Sequence, residues 1–177
     1  MIRSFLYYLF VLLIIFSCRQ EKKSQAEEKK KWSKGHSVNF NQELVIREQM
    51  QIKFFLDHHT NLKMKSTDSG LSYMIYKKGT GKELANVGQL ARISLKISLL
   101  DGTICYEKID DEYEDFVIEK SEKEGGIHEL VKYMKLGDKA KAILPSHLGH
   151  GLLGDRQNIP PQSVLYIDIE LINLENL

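Results

Sequence analysis

Cysteine is scarce: among 177 residues only Cys18 and Cys105 carry thiols. Cys18 sits at the end of an apolar leader, which leaves Cys105 without a partner. An intrachain disulfide is therefore excluded, and stability must come from a packed core. An excess of one charge sign is also lacking. Lys and Arg number 25 against 24 Asp and Glu, a formal net charge of +1, and so even a balance argues against nucleic acid as a partner. No phosphate-binding glycine loop is present. The N-terminal apolar run, Phe5 to Phe16, falls short of the roughly 20 residues that a membrane-spanning helix needs. Proline is limited to three residues, and Pro145, Pro160 and Pro161 all fall within one C-terminal stretch.

What is present begins with an address. Residues 1–18 combine Arg3, an apolar run of signal-peptide length, and the small residue Ser17 directly before Cys18. A cysteine in that place resembles the lipobox of bacterial lipoproteins, although Phe16 is bulkier than the usual residue there. The resemblance implies a lipidated Cys18 that anchors an otherwise soluble protein in the cell envelope, at the outer membrane or on a periplasmic face. An ordinary cleaved signal and a retained anchor are the other readings. Residues 19–38 are mixed charge with few apolar side chains and cannot order themselves. They are expected to form a flexible tether of about 25 Å on the random-coil estimate. The remaining chain, roughly 140 residues, suits one domain with a real interior.

Within it, residues 39–68 are expected to hold a helix and its connector. Asn39 can cap with Gln42 three positions on, and no Gly or Pro interrupts the run to His58. Leu44, Val45, Ile52, Phe55 and Leu56 share one arc, while Ile46, Met50 and Phe54 form a second stripe on the far side. Two stripes imply either a helix clamped between the domain and the N-terminal segment or a face for dimerisation or another partner.

Residues 69–177 change to a period of two. Leu71 to Tyr76 alternates, and Leu90 to Leu99 alternates more cleanly, with Ala91, Ile93, Leu95, Ile97 and Leu99 on one face. Asp101-Gly102 marks a hairpin turn into a strand near Thr103 to Glu107, followed by a short strand at Phe116 to Glu119. After Gly125-Gly126, the residues Ile127, Leu130, Val131 and Met134 make one helical stripe that Gly137 stops. Strands at Asp138 to Pro145 and Ser163 to Leu171 flank a long connection rich in glycine and closed by Pro160-Pro161. Loops of that length in compact domains are functional or disordered, and strands bound this one on both sides, so it is expected to be an ordered lip over a binding site. An amphipathic helix across a twisted antiparallel sheet is an α+β roll.

From about Gly70 to Leu174 the chain resembles FKBP-type peptidyl-prolyl isomerases. The resemblance rests on Lys77-Lys78-Gly79-Thr80-Gly81, Gly88, Asp101-Gly102, Gly126, Met134-Lys135-x-Gly137, Pro145-Ser146, Gly151, Gly154, Ile159-Pro160-Pro161, Leu165 and Asp168-x-Glu170-Leu171. It implies an antiparallel half-barrel sheet wrapped on one short helix, here with an additional N-terminal helix. The leader, tether and preceding helix also look like FKBP-like lipoproteins of gliding bacteria. By resemblance the activity is rotation about the bond before proline, without nucleophile, metal or cofactor, inside an apolar and water-poor cup.

Carried over by position, Leu95 stands where the family has a tyrosine, and Cys105-Tyr106 where it has Phe-Asp. Phe116 supplies an aromatic wall, and Ile127 opens the floor helix in place of a bulkier residue. Lys123-Glu124 aligns with an apolar pair, unless that pair has shifted. His150 replaces the tyrosine that hydrogen-bonds a bound peptide's carbonyl, Ile159 is retained, and Ile167 replaces an aromatic. Tyr106 and His150 are thus the candidate catalytic residues, with Leu95, Cys105, Phe116, Ile127, Ile159 and Ile167 expected to bind substrate. His147 and His150 lack the neighbouring ligands of a metal site. Two functions follow as expectations: an isomerase that assists folding of exported proteins, or a peptide-binding chaperone or assembly subunit that keeps the groove without catalysis.

Overall fold

Strand β3 (Leu90–Leu99) is the spine of the sheet, and its alternation explains why. Ala91, Ile93, Leu95 and Ile97 are buried, while Arg92, Ser94 and Lys96 lie on the wetter side. This computed structural model describes residues 34–108 and 112–177. The leader, Cys18 and most of the expected tether lie outside the described residues, and Val38–Leu177 forms one unit by contact.

The remaining strands are β1 (Lys65–Ser66), β2 (Ser72–Lys77), β4 (Ile104–Lys108), β5 (Glu114–Val117), β6 (Lys139–Leu144) and β7 (Leu165–Glu175). They run β1-β2-β6-β7-β3-β4, and β5 joins β3 as well. All pairings are antiparallel. β4 takes the C-terminal half of β3 and β5 the N-terminal half, so one edge carries two short strands in succession. β1 was not expected. Its two residues, both exposed, carry no apolar alternation and pair with β2 through the backbone alone.

Helix α2 (Gly125–Val131) packs on one face of the sheet, with Ile127, Leu130 and Val131 fully buried in one core cluster with Leu95, Ile97, Leu165, Ile167 and Ile169. Burial of each large side chain contributes about 1.5–3 kcal/mol, enough for a core without disulfides. Gly126 permits the approach, since a Cβ there would meet the Leu144 side chain at 2.5 Å.

Helix α1 (Lys34–His58) lies on the outer face, where Ile52 packs with Ile143 and Val164, joined by Phe55, Leu56, Leu100 and Tyr166. Two expectations change here. The helix begins at Lys34, so Asn39 is interior and not a cap. Val45, at the edge of the apolar arc, is 45% exposed, whereas Glu48 is 2% exposed. At about 100° per residue Glu48 falls between Leu44 and Ile52, in the middle of the buried seam. Ile46, Met50 and Phe54 do form an exposed stripe. None of the described helices is long and apolar enough to cross a membrane.

Candidate functional site

The lip is ordered by hydrogen bonds that its own sequence supplies. After β6 a 3-10 turn, Ser146–Leu148, opens it. The Ser146 carbonyl then accepts from the Gly149 N–H at 3.0 Å and the Gly151 N–H at 2.8 Å. Further on, one Asp155 carboxylate oxygen accepts the N–H groups of Gln157 and Ile159, both at 2.8 Å. The Asp155 N–H returns to the Ile159 carbonyl at 3.2 Å, closing the segment on itself. Gly154 is required beside it: its φ is +65°, and a Cβ would stand 2.1 Å from the Ile159 carbonyl oxygen. The other oxygen of Asp155 accepts the Tyr106 hydroxyl, tying the lip to β4.

Under the lip lies a cavity of about 320 Å³. Its floor is Leu95 and Ile97 from β3 with Tyr106 from β4. Its wall is charged, contrary to the apolar cup expected. Lys123 Nζ sits 2.9 Å from Glu114 and 3.1 Å from Glu124, and His150 Nε2 is 2.9 Å from the other Glu124 oxygen. Lys108 closes the chain at 3.9 Å from Glu114. The side chains of Lys123 and Glu124 are only 9% and 11% exposed. Charges withdrawn this far need partners, and each has one of opposite sign within reach. A larger groove of about 470 Å³ lies between α1 and the end of β3, but none of the lip's residues from Ser146 to Gln162 lines it.

Electrostatics follow from the contacts. Desolvation alone would raise the Asp155 carboxyl, but the Tyr106 hydroxyl and the backbone amides outweigh it and hold the group down at about 2. The same bond pushes the Tyr106 phenol up, because it favours the protonated form. For Glu124 burial again pulls upward, and Lys123 with neighbouring hydrogen bonds brings the net shift below the ordinary carboxylate value. Burial pushes the Cys105 thiol up, away from nucleophilic character.

Of the eight expected site residues, the structure brings three together at the cavity: Leu95, Tyr106 and His150. The other five, Cys105, Phe116, Ile127, Ile159 and Ile167, belong to the core cluster and do not line it. Cys105 is the extra residue of a β-bulge, since Ile97 pairs with Tyr106 and Ser98 with Ile104, so two successive side chains turn inward. Its thiol contacts the Thr103 carbonyl instead of the cavity. Phe116 packs edge-on against the His128 ring at 5.2 Å between centroids. Ile127 and Ile167 have no exposed surface, and Ile159, itself a lip residue, turns its side chain into the core at 3% exposure. His150, expected to serve a bound carbonyl, turns its Nε2 to Glu124. His147 is engaged separately, with Nε2 2.9 Å from the Ser69 carbonyl. Lys123-Glu124 lines the cavity where an apolar pair was aligned, although neither residue was counted in the site. Asp155 and Glu114 were missed altogether. An Asp after Gly154 with open amides two and four residues on is a readable turn signal. Nothing local marks Glu114.

A match to the family model described as FKBP-type peptidyl-prolyl cis-trans isomerase spans residues 81–172, more than half of the chain. The chain belongs to the FKBP-type peptidyl-prolyl cis-trans isomerase family. Among FKBP-type relatives, the isomerase FkpA of Buchnera aphidicola is 33% identical over 133 residues, covering 72% of this chain and 50% of that protein. FkpA of Aeromonas hydrophila is 34% identical over 112 residues, covering 63% and 41%. The chain thus spans about half the length of these FKBP-type relatives. The crystal structure of FkpA from Escherichia coli has the same fold, with a TM-score of 0.64 at 23% identity, covering 80% of this chain and 65% of that one.

Proposed function

We propose that this protein is a peptidyl-prolyl cis-trans isomerase that assists the folding of exported proteins, acting on proline-containing segments in the cavity beneath the lip. The observation that carries the reading is the cavity itself: an apolar floor of Leu95 and Ile97, closed on one side by the tie between Tyr106 and Asp155. Rotation about the bond before proline is opposed by amide resonance, a barrier of about 18–20 kcal/mol. No group needs to attack. A floor that strips water from the amide disfavours its polar planar form, and a fixed lip holds the proline ring while the preceding carbonyl turns. The uncatalysed step takes tens of seconds or more at 25 °C, long enough to delay folding outside the cytoplasm.

The charged wall modifies this picture. Lys123, Glu124 and His150 face the cavity, so a bound segment meets a polar surface on one side and an apolar one below. The leader supports a place in the cell envelope, and the Ser17-Cys18 pair supports anchoring through lipid on Cys18. The test is a protease-coupled assay on a short Leu-Pro peptide. Wild type is expected to accelerate isomerisation above the thermal rate. Tyr106→Phe, which frees the lip while keeping the ring, is expected to lower kcat/KM about tenfold, a loss in the range of an orienting contact. His150→Ala is expected to fall further than Lys132→Ala, whose side chain pairs with Glu119 away from the cavity. A wild type no faster than the thermal rate would leave a peptide-binding role in its place.

A further inference from the structure

Position 48 holds a carboxylate that the fold has no evident need for. Glu48 lies in the seam between Leu44 and Ile52 and is 2% exposed. One of its oxygens accepts the Ser146 N–H at 3.1 Å, across 98 residues of chain. The other oxygen is buried with no hydrogen-bond partner among the described residues. An apolar residue at this seam would avoid stranding that oxygen, so packing in the seam alone does not explain a glutamate.

Its partner does. Ser146 is the first residue of the lip, and its carbonyl receives the amides of Gly149 and Gly151, the two residues that bracket His150. Glu48 therefore holds, through its N–H, the residue whose carbonyl anchors the His150 turn. The preceding residue grips the other end: Arg47 donates to the Gln162 side chain at 2.5 Å, and the Gln162 N–H in turn bonds the Gly151 carbonyl at 3.0 Å. Gln162 holds a φ of +56°, a conformation that a non-glycine residue keeps only when its neighbours enforce it. Two adjacent residues of α1 thus hold both ends of the lip.

We propose that Glu48, with Arg47, is a positioning residue for the lip, so that α1 is a working part of the site and not an appendage to the domain. The proposal rests on the reading of the cavity as the isomerase site. It is tested on the full chain by amide hydrogen exchange and isomerase kinetics together. Glu48→Ala is expected to speed exchange at Gly149 and Gly151 at least tenfold, while amides in β3 and β7 keep their rates, and to lower kcat/KM severalfold. Glu48→Gln retains an acceptor for the Ser146 N–H and is expected to restore both. Equal acceleration at lip and core amides, or no change at the lip, overturns the proposal. If wild type shows no isomerisation, the functional reading falls, and lip-selective exchange with rescue by Glu48→Gln still decides whether Glu48 positions the lip.

Discussion

Asp155 serves two lip amides and one phenol, and that set of bonds makes its charge state consequential. Its ordinary value of 3.8 is lowered to about 2 in the fold. The tie is therefore complete above pH 3.8 and is lost as pH falls through 2, because protonation removes an acceptor. Titration of the Asp155 carboxyl by NMR is expected to give a midpoint near the lower value. A midpoint near 4 would mean that the bonds to Tyr106, Gln157 and Ile159 do not hold in solution. Lys123 offers a second residue-scale prediction. Removing it as Lys123→Ala leaves Glu124 buried beside Glu114 without its closest cation, an arrangement expected to destabilise by about 3 kcal/mol. Urea unfolding at pH 7 measures this, and a change under about 1 kcal/mol would place the pair in the weak class of solvated ion pairs. The turn at Asp155 is readable in sequence, but its tie to Tyr106 and the burial of Lys123 are not. By position Lys123-Glu124 aligned with an apolar pair of the family, and only the approach of β5 and the lip withdraws these two charges from water.

At the scale of elements, the contrast within α1 is the informative one. Ile52 is 8% exposed in the outer cluster, whereas Phe54 is 67% exposed two residues on. Ile52→Ala is expected to destabilise by about 2–4 kcal/mol and Phe54→Ser by no more than about 0.5 kcal/mol, as deletion of buried and of exposed apolar groups generally does. Thermal unfolding compares the two, and equal losses would mean that something covers the exposed stripe. In the lip, Gly154→Ala combines a left-handed backbone with a Cβ directed at the Ile159 carbonyl. Backbone conformation alone is expected to cost about 1–2 kcal/mol, with the steric conflict added to it. Its predicted signature is a fall in Tm together with faster exchange at the amides of Gln157 and Ile159, and an unchanged Tm would contradict the close approach. The elements themselves were largely legible. The alternation of β3, the stripe of α2 and the glycine-bounded lip are each set by spacing within a short window. β1 was not, because a two-residue edge strand held by backbone bonds leaves no side-chain pattern.

For the molecule as a whole, acid is the condition that acts on several contacts at once. Asp101, Asp115, Glu119, Glu124 and Asp155 are all held below their ordinary values, by backbone amides for Asp101, by Arg92 for Asp115 and by Lys132 for Glu119. Lowered carboxyls stabilise above their unfolded values and lose that contribution as pH falls, so the urea midpoint is expected to be flat from about pH 5 to 7 and to decline below about 4.5. A midpoint that rises on acidification would reverse the assigned directions. The amino-acid sequence by itself determined the family, the α+β roll and the position of the lip, because each depends on local periodicity or on glycine and proline at fixed spacing, and the resemblance to the family added Leu95 to the site. Tertiary structure alone decided that Cys105 and Phe116 turn into the core, that a charged wall closes the cavity, and that Glu48 reaches Ser146. Those outcomes depend on which distant side chains share a buried space, and that is set by how sheet, helix and lip close on one another.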